Sequence, residues 1–222
     1  MIANLKVTLC YTQTLDGQLA TRTGQSQWIG SGETLRLAHE LRASHAAIMV
    51  GVGTVLADNP RLTVRLVAGR DPLRIVVDSS LRTPLNAAVL ADGAAVGTWV
   101  ATTHSADLAR ANVLRSLGAT VLPCAATATG RVDLRNLLGQ LAAHGMQSVM
   151  VEGGAALITA LLQQRLATHA VITVAPTLMG SGIAAIGDLG VTQLSQLVRL
   201  SEVQVRQFGP DTVFDGQLEY AK

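Results

Sequence analysis

Val149-Met150-Val151-Glu152-Gly153-Gly154-Ala155-Ala156-Leu157 is the stretch on which the fold turns. Its apolar start reads as a strand buried on both faces. Two glycines then turn the chain, and an apolar helix pattern opens behind them and runs to about Leu166. A strand passing through a tight turn into a helix is the repeating unit of a parallel sheet with helical crossovers. Unpaired N–H groups at such a helix start, reinforced by the helix dipole, suit a phosphate, and glycine lets a ligand approach the backbone. An ordinary tight turn would look the same. Glu152 separates the two readings. A carboxylate at the end of a buried strand is costly without a partner, and strand ends of open α/β sheets are where ligands bind.

Working outward, the same alternation continues. Leu5–Tyr11 reads as a strand, and a helix follows from an N-cap at Ser31, with Leu35, Ala38, Leu41 and Arg42 at helical spacing. Strands are expected at Ala46–Val50, at Leu73–Val77 (ending in Asp78-Ser79-Ser80), at Val96–Thr102 and at Thr120–Leu122. Helices are expected from about Ser105 to Leu117, closed by Gly118, and over Leu134–Ala143. Ala170–Ala175 and Val203–Phe208 read as later strands, the latter alternating as antiparallel ones do, and Asp211–Tyr220 reads as the last, partly exposed strand. The expectation is one α/β domain over residues 1–222, with a mostly parallel central sheet, antiparallel C-terminal strands and helices on both faces. Ala125-Ala126-Thr127-Ala128-Thr129-Gly130 reads as a flexible loop within it.

Composition narrows the function. With 49% hydrophobic and 14% charged residues, the 222-residue chain can bury a large core, which excludes disorder. Aromatics are 3%, so Leu, Val, Ile and Ala must fill that core. Apolar runs such as Ala46–Val50 are too short to span a bilayer. Met1-Ile2-Ala3-Asn4-Leu5-Lys6 lacks the pattern of a signal peptide, so a cytoplasmic location is expected. The net charge of +2 comes with scattered basic residues, which argues against a nucleic-acid face. Arginines beside turns instead suit a small anionic ligand. Cys10 reads as a buried core thiol. His39, His45, His104, His144 and His169 show no metal spacing, and Pro123-Cys124 lacks the partners of a zinc deaminase, so no metal is expected. Neither a phosphate-loop lysine motif nor a serine nucleophile elbow is present.

Gly51-Val52-Gly53-Thr54-Val55-Leu56 follows a strand but lacks the third glycine of the dinucleotide fingerprint. It can still admit a cofactor close to the backbone. Beyond it stands Val55-Leu56-Ala57-Asp58-Asn59-Pro60-Arg61-Leu62-Thr63-Val64-Arg65. Asp-Asn-Pro is a helix stop. A helix stop does not account for the arginine just past the turn.

Taken with Thr14-Leu15-Asp16-Gly17, Ser26-Gln27-Trp28-Ile29, Ile75-Val76-Val77-Asp78-Ser79 and Ala175-Pro176-Thr177-Leu178-Met179-Gly180, these segments resemble one family over essentially the whole chain. It is the reductase domain of riboflavin biosynthesis, with the dihydrofolate-reductase-like fold. The resemblance implies NADPH as cofactor and a ribosylaminopyrimidine 5′-phosphate as substrate, reduced at C1′ of its ribose. It implies Ser26, Arg42, Leu62, Arg65 and Glu152 as substrate-binding residues. It implies Thr12, Trp28, Thr54, Asp58, Ser79 and the run Gly154, Ala155, Ala156, Leu157, Ile158, Thr159 and Ala160 as the NADPH site. A homodimer is a further implication.

Hydride transfer needs no protein nucleophile; the protein has to place the two reactants and exclude water. Trp28 suits a wall for the nicotinamide, although tryptophan also fills cores. Asp58 and Glu152 are the candidate catalytic groups, Asp58 as a proton donor. Gln18 stands where family members often carry Lys or Arg, which leaves the base preference open, and these residues supply no zinc deaminase, so the chain is either a stand-alone reductase or one domain of a larger protein. The leading substrate is 5-amino-6-(5-phosphoribosylamino)uracil, with the non-deaminated 2,5-diamino compound as the close alternative. A pterin-like substrate and a non-catalytic NADPH-binding role fit the arginines and Glu152 less well.

Overall fold

The computed structural model describes residues 4–221; Met1–Ala3, the head of the segment read for a signal peptide, lie outside the described residues. In chain order come β1 (Lys6–Thr14), β2 (Gln18–Thr21), α1 (Gly32–Ser44), β3 (Ala47–Gly51) and α2 (Val52–Asp58). Then follow β4 (Leu73–Val77), β5 (Thr98–Thr103), α3 (Leu108–Ser116), β6 (Thr120–Cys124) and α4 (Leu134–Ala143). The last are β7 (Ser148–Glu152), α5 (Ala155–Gln163), β8 (His169–Ala175), β9 (Gly182–Ala184), β10 (Arg199–Phe208) and β11 (Asp211–Glu219). Contacts divide the chain into two compact units, each discontinuous in sequence. The first holds Arg42–Val149 with the described residues before Lys6; the second holds Lys6–Leu41 and the chain from Met150. β7 begins in the first and ends in the second.

In the first unit, β3, β4, β5 and β6 are parallel neighbours, and the row Val50, Val76, Val100, Val121 runs across them. These valines are buried with Ile48, Leu62, Leu81, Leu90 and Leu114. Each fully buried aliphatic side chain contributes roughly 1.5–3 kcal/mol. That is how an aromatic-poor chain holds its interior, and why the strands read as continuous apolar runs rather than alternating ones. α3 starts at Leu108, three residues later than expected, because Asp107 caps it and accepts from the N–H groups of Ala109 (2.8 Å) and Arg110 (3.3 Å). Asp133 likewise caps α4 through the Asn136 N–H at 3.0 Å.

In the second unit, β1 pairs parallel with β8, β8 antiparallel with β11, and β11 antiparallel with β10. Val171 and Val213 bury against Leu37 of α1, with Phe208 beside them. Asp211 fixes the start of α1. It is 1% exposed, and its Oδ2 accepts from the Ser31 N–H (2.7 Å) and the Thr34 hydroxyl (2.8 Å). α5 ends at Gln163, short of Leu166, where Arg165 takes φ 54°. The antiparallel pair β2–β9 had no clear signal in the sequence. The strand directions bear out the parallel middle and the antiparallel C-terminal strands. Among the described residues, no helix is long and apolar enough to cross a membrane.

Candidate active-site residues

The loop after α2 gathers three of the expected substrate residues. Asn59 takes a left-handed φ of 42°, and its side-chain oxygen accepts from the Ala88 N–H at 2.8 Å. Leu62 holds φ 55° although it is a leucine, and it is 1% exposed. That backbone costs on the order of 1–2 kcal/mol, which burial of the side chain offsets. Just beyond it, the Thr63 carbonyl receives Arg42 Nη1 at 3.0 Å and Arg65 Nη1 at 3.4 Å, and Arg65 also donates to Thr63 Oγ1 at 2.6 Å. Arg42 is buried in the last turn of α1, and Arg65 is exposed. The Val64 N–H on Asp71 Oδ1 (2.7 Å) closes the loop. Two guanidinium groups on one carbonyl repel each other, and an added anion relieves that repulsion. Thr63, the meeting point, carried no signal in the sequence. Thr54 and Asp58 lie half-buried on α2.

Ser79 sits where β4 ends. The preceding Asp78 is 1% exposed, and its Oδ2 accepts from the Thr83 N–H (2.7 Å) and hydroxyl (2.8 Å), closing the turn. Arg110 braces the same turn from the carbonyls of Leu81 (3.1 Å) and Thr83 (2.7 Å). The Ser79 carbonyl accepts from the hydroxyls of Thr102 (3.1 Å) and Thr103 (3.0 Å), and its Oγ accepts from the Val132 N–H at 3.0 Å. Ser79 thereby ties the end of β5 to the segments that follow β4 and β6, at the ends of parallel strands where ligands bind. The Ala125–Gly130 stretch, expected to be flexible, is instead part of a hairpin closed by a bridge between Ala126 and Val132. Thr127 exchanges bonds with Arg131, N–H to carbonyl at 2.7 Å and Oγ1 from N–H at 3.2 Å, and Gly130 supplies φ 72°.

In the second unit, Thr12 lies on β1 opposite Thr173. A Cβ on Gly30 would stand 2.8 Å from Thr34 Oγ1 and 3.1 Å from Thr12 Cγ2, so Gly30, two residues past Trp28, lies close against Thr12 of β1. Trp28 is 82% exposed with φ 72°, which rules out the core-filling reading. A large ring held out on strained backbone can meet a ligand. Glu152, half-buried, ends β7, and Gly153 and Gly154 take φ 81° and 87°. α5 has no side-chain cap at Gly154. Its first-turn N–H groups therefore fit a pyrophosphate. Leu157 and Ile158 are buried, so the Gly154–Ala160 run offers a ligand chiefly the backbone of Gly154, Ala155 and Ala156. The Thr159 hydroxyl donates to Ala155 O (2.7 Å) and accepts from the Gly187 N–H (2.8 Å), fixing a neighbouring loop.

Two quoted motifs also meet. The Asp16 carboxylate accepts from the Thr14 hydroxyl (2.5 Å) and from the N–H groups of Met179 (3.1 Å) and Gly180 (2.5 Å). Those bonds, the Thr14 one foremost, hold its carboxyl down at about 2. Gln18 turns its amide back to Asp16 O at 3.0 Å. A cavity of about 400 Å³ in this unit, lined by Lys6, His169, Glu202 and Asp215 among others, includes none of the expected site residues. Within it His169 and Asp215 pair at 2.7 Å.

The family described as "RibD C-terminal domain" matches residues 5–214. The riboflavin biosynthesis protein RibD of Aquifex aeolicus is 38% identical over 208 residues, which cover 93% of this chain and 56% of that protein. This chain therefore spans little more than half the length of such relatives. The 2,5-diamino-6-ribosylamino-4(3H)-pyrimidinone 5′-phosphate reductase of Methanothermobacter thermautotrophicus is 38% identical over 214 residues, covering 94% of this chain and 96% of that one. Among solved structures, Acinetobacter baumannii RibD superposes with a TM-score of 0.83 at 27% identity, over 96% of this chain and 58% of that one.

Proposed function

Because the chain belongs to the RibD C-terminal domain family, we propose that it is the reductase of riboflavin biosynthesis, taking a ribosylaminopyrimidine 5′-phosphate and NADPH. The observation that carries this reading is the meeting of Arg42 and Arg65 on the Thr63 carbonyl. A planar guanidinium binds a phosphate through paired hydrogen bonds, and two of them suit the dianion of a phosphate monoester.

When bound, NADPH supplies the hydride to C1′ of the substrate's ribose. The chain's own residues orient and shield. Arg65 and Arg42 grip the 5′-phosphate, Leu62 and Ser26 flank the substrate, and Glu152 accepts hydrogen bonds from ring N–H or amino groups. Thr12, Trp28, Thr54, Ser79 and the Gly154–Ala160 turn hold the cofactor. Asp58 delivers a proton to the opening ring, through water. The active form is a homodimer in the cytoplasm, the dimer being testable by light scattering.

The leading substrate is 5-amino-6-(5-phosphoribosylamino)uracil. One observation favours a second reading: the Methanothermobacter relative, matched over nearly its full length, is named for the non-deaminated compound. NADPH oxidation assayed with each pyrimidine phosphate decides between them. The expected result is higher kcat/KM with the uracil; the reverse order supports the second reading, and no oxidation with either ends both.

A further inference from the structure

We infer that Arg131 reads the 2′-phosphate of the cofactor, together with Ser79, and so sets the preference for NADPH over NADH. This rests on the proposed placement of the cofactor against Ser79 and adds the residue that supplies the charge. A serine hydroxyl can hydrogen-bond a phosphate but cannot neutralise it. Some cation must stand beside it if a dianion is to be chosen over a bare ribose hydroxyl.

The loop after β6 provides that cation. The Ser79 Oγ accepts the Val132 N–H at 3.0 Å, so its own hydrogen remains available to donate to a ligand oxygen. Arg131 is the residue joined to that same nitrogen. Its Cα stands within two bonds of the Val132 N, which puts Ser79 Oγ well inside the reach of its side chain. Its backbone is fixed on both sides by Thr127, through the 2.7 Å and 3.2 Å bonds. Its side chain is exposed and makes no hydrogen bond or ion pair among the described residues.

The surrounding charges favour the same assignment. Asp78, the adjacent carboxylate, is buried, with Oδ2 turned onto Thr83. Asp133 is engaged as the cap of α4. Arg110 is committed to the Leu81 and Thr83 carbonyls. Arg82 is exposed on the turn after Ser79, but it lies three residues along the chain and no hydrogen bond carries its backbone to the Ser79 hydroxyl. Arg131 therefore ranks above Arg82.

The test is calorimetric binding of NADPH, NADH and adenosine 2′,5′-bisphosphate to the wild type and to Arg131→Ala, Arg131→Lys, Arg82→Ala and Ser79→Ala. Losing a charge-assisted contact to a phosphate corresponds to on the order of 10- to 100-fold in affinity. Arg131→Ala is expected to weaken the bisphosphate by that factor and to cut the NADPH-to-NADH affinity ratio alike. Arg131→Lys should recover part of the loss, and Arg82→Ala should cost less than Arg131→Ala. If Ser79→Ala lowers the ratio while Arg131→Ala leaves it within about twofold of wild type, the Arg131 assignment is overturned and the cofactor placement stands. If the wild type shows no preference and Ser79→Ala changes nothing, the placement itself fails, and the Arg131 assignment with it.

Discussion

The loop after α2 and the loop after β6 both lie in the first unit and both are pinned by hydrogen bonds, but by different chemistry. Residues 59–65 are organised around charge: two guanidinium groups on the Thr63 carbonyl and a carboxylate on the Val64 N–H. Residues 125–133 are organised around hydroxyls and backbone: Thr127 on Arg131, and Val132 on Ser79. In the first loop the groups that hold the backbone are the groups proposed to hold the ligand. In the second, holding and binding are divided, since Thr127 fixes the backbone and leaves the Arg131 side chain open. Removing one side chain should therefore have unlike consequences in the two places.

The largest effect is expected at Arg65. Arg65→Ala loses the two bonds to Thr63, yet the Thr63 carbonyl keeps Arg42, and Arg65 is exposed. Stability should change by less than about 0.5 kcal/mol, as for most surface substitutions. Binding of the 5′-phosphate loses roughly 1.5–3 kcal/mol of charge-assisted hydrogen bonding, so kcat/KM should fall on the order of 10- to 150-fold. Arg65→Lys should restore only part of it, because an ammonium lacks the planar fork. The control is a dephosphorylated substrate, which wild type and Arg65→Ala should handle almost equally poorly. Equal losses on both substrates would remove Arg65 from the phosphate.

A smaller effect is expected in the other loop. Thr127→Val keeps the shape but removes the oxygen that accepts from the Arg131 N–H and the contact to Thr129 Oγ1 at 3.0 Å. A lost hydrogen bond of this kind costs about 0.5–1.5 kcal/mol, or a fall in Tm of roughly 1–6 °C for a chain of this size. NADPH affinity should drop by about threefold as the loop loses its preorganisation. A calorimetric scan and a binding titration on the same preparation check both. An unchanged Tm with unchanged affinity would mean the hairpin holds itself without Thr127.

The contrast also explains what the sequence disclosed. The parallel strands were legible because buried β-branched runs such as Ala47–Val50 and Leu73–Val77 resemble little else. Their ends were less so: α3 waited for the Asp107 cap, and β10 extends back to Arg199 through an irregularity at Ser201–Gln204. Arg65 stood out because a charge beside Asp-Asn-Pro is unusual. Thr63 did not, since its part is played by a carbonyl oxygen that every residue carries. The Ala-Thr alternation of residues 125–129 looked loose for a related reason. Its ties are backbone bonds, the Thr127 hydroxyl and the N–H of Val132, and nothing in the residue types says that Ser79, more than forty positions earlier, is the acceptor for that N–H. Trp28 could be read either as wall or as filling, and its 82% exposure removes the filling reading.

The smallest effect isolates charge from ligand binding altogether. Asp16 makes a charge-based tie like that of the Thr63 loop, but in the second unit and on an exposed turn, joining Thr14–Gly17 to Met179 and Gly180. Its folded carboxyl sits at about 2, against an ordinary 3.8. A depressed folded value means that the ionised carboxylate stabilises the native state. That contribution is complete above about pH 4 to 5 and is lost as pH falls through the folded value near 2. Because the group is exposed, water and salt screen it, and the gain should be slight and weaker at high ionic strength. Asp16→Asn removes the titration while keeping one acceptor oxygen. The difference in Tm between wild type and Asp16→Asn should be constant at neutral pH and shrink as the pH falls from about 4 toward 2. A difference that stays flat across that window would show that the turn is held by geometry alone, as the Thr127 hairpin is, and that the Asp16 charge contributes nothing to it.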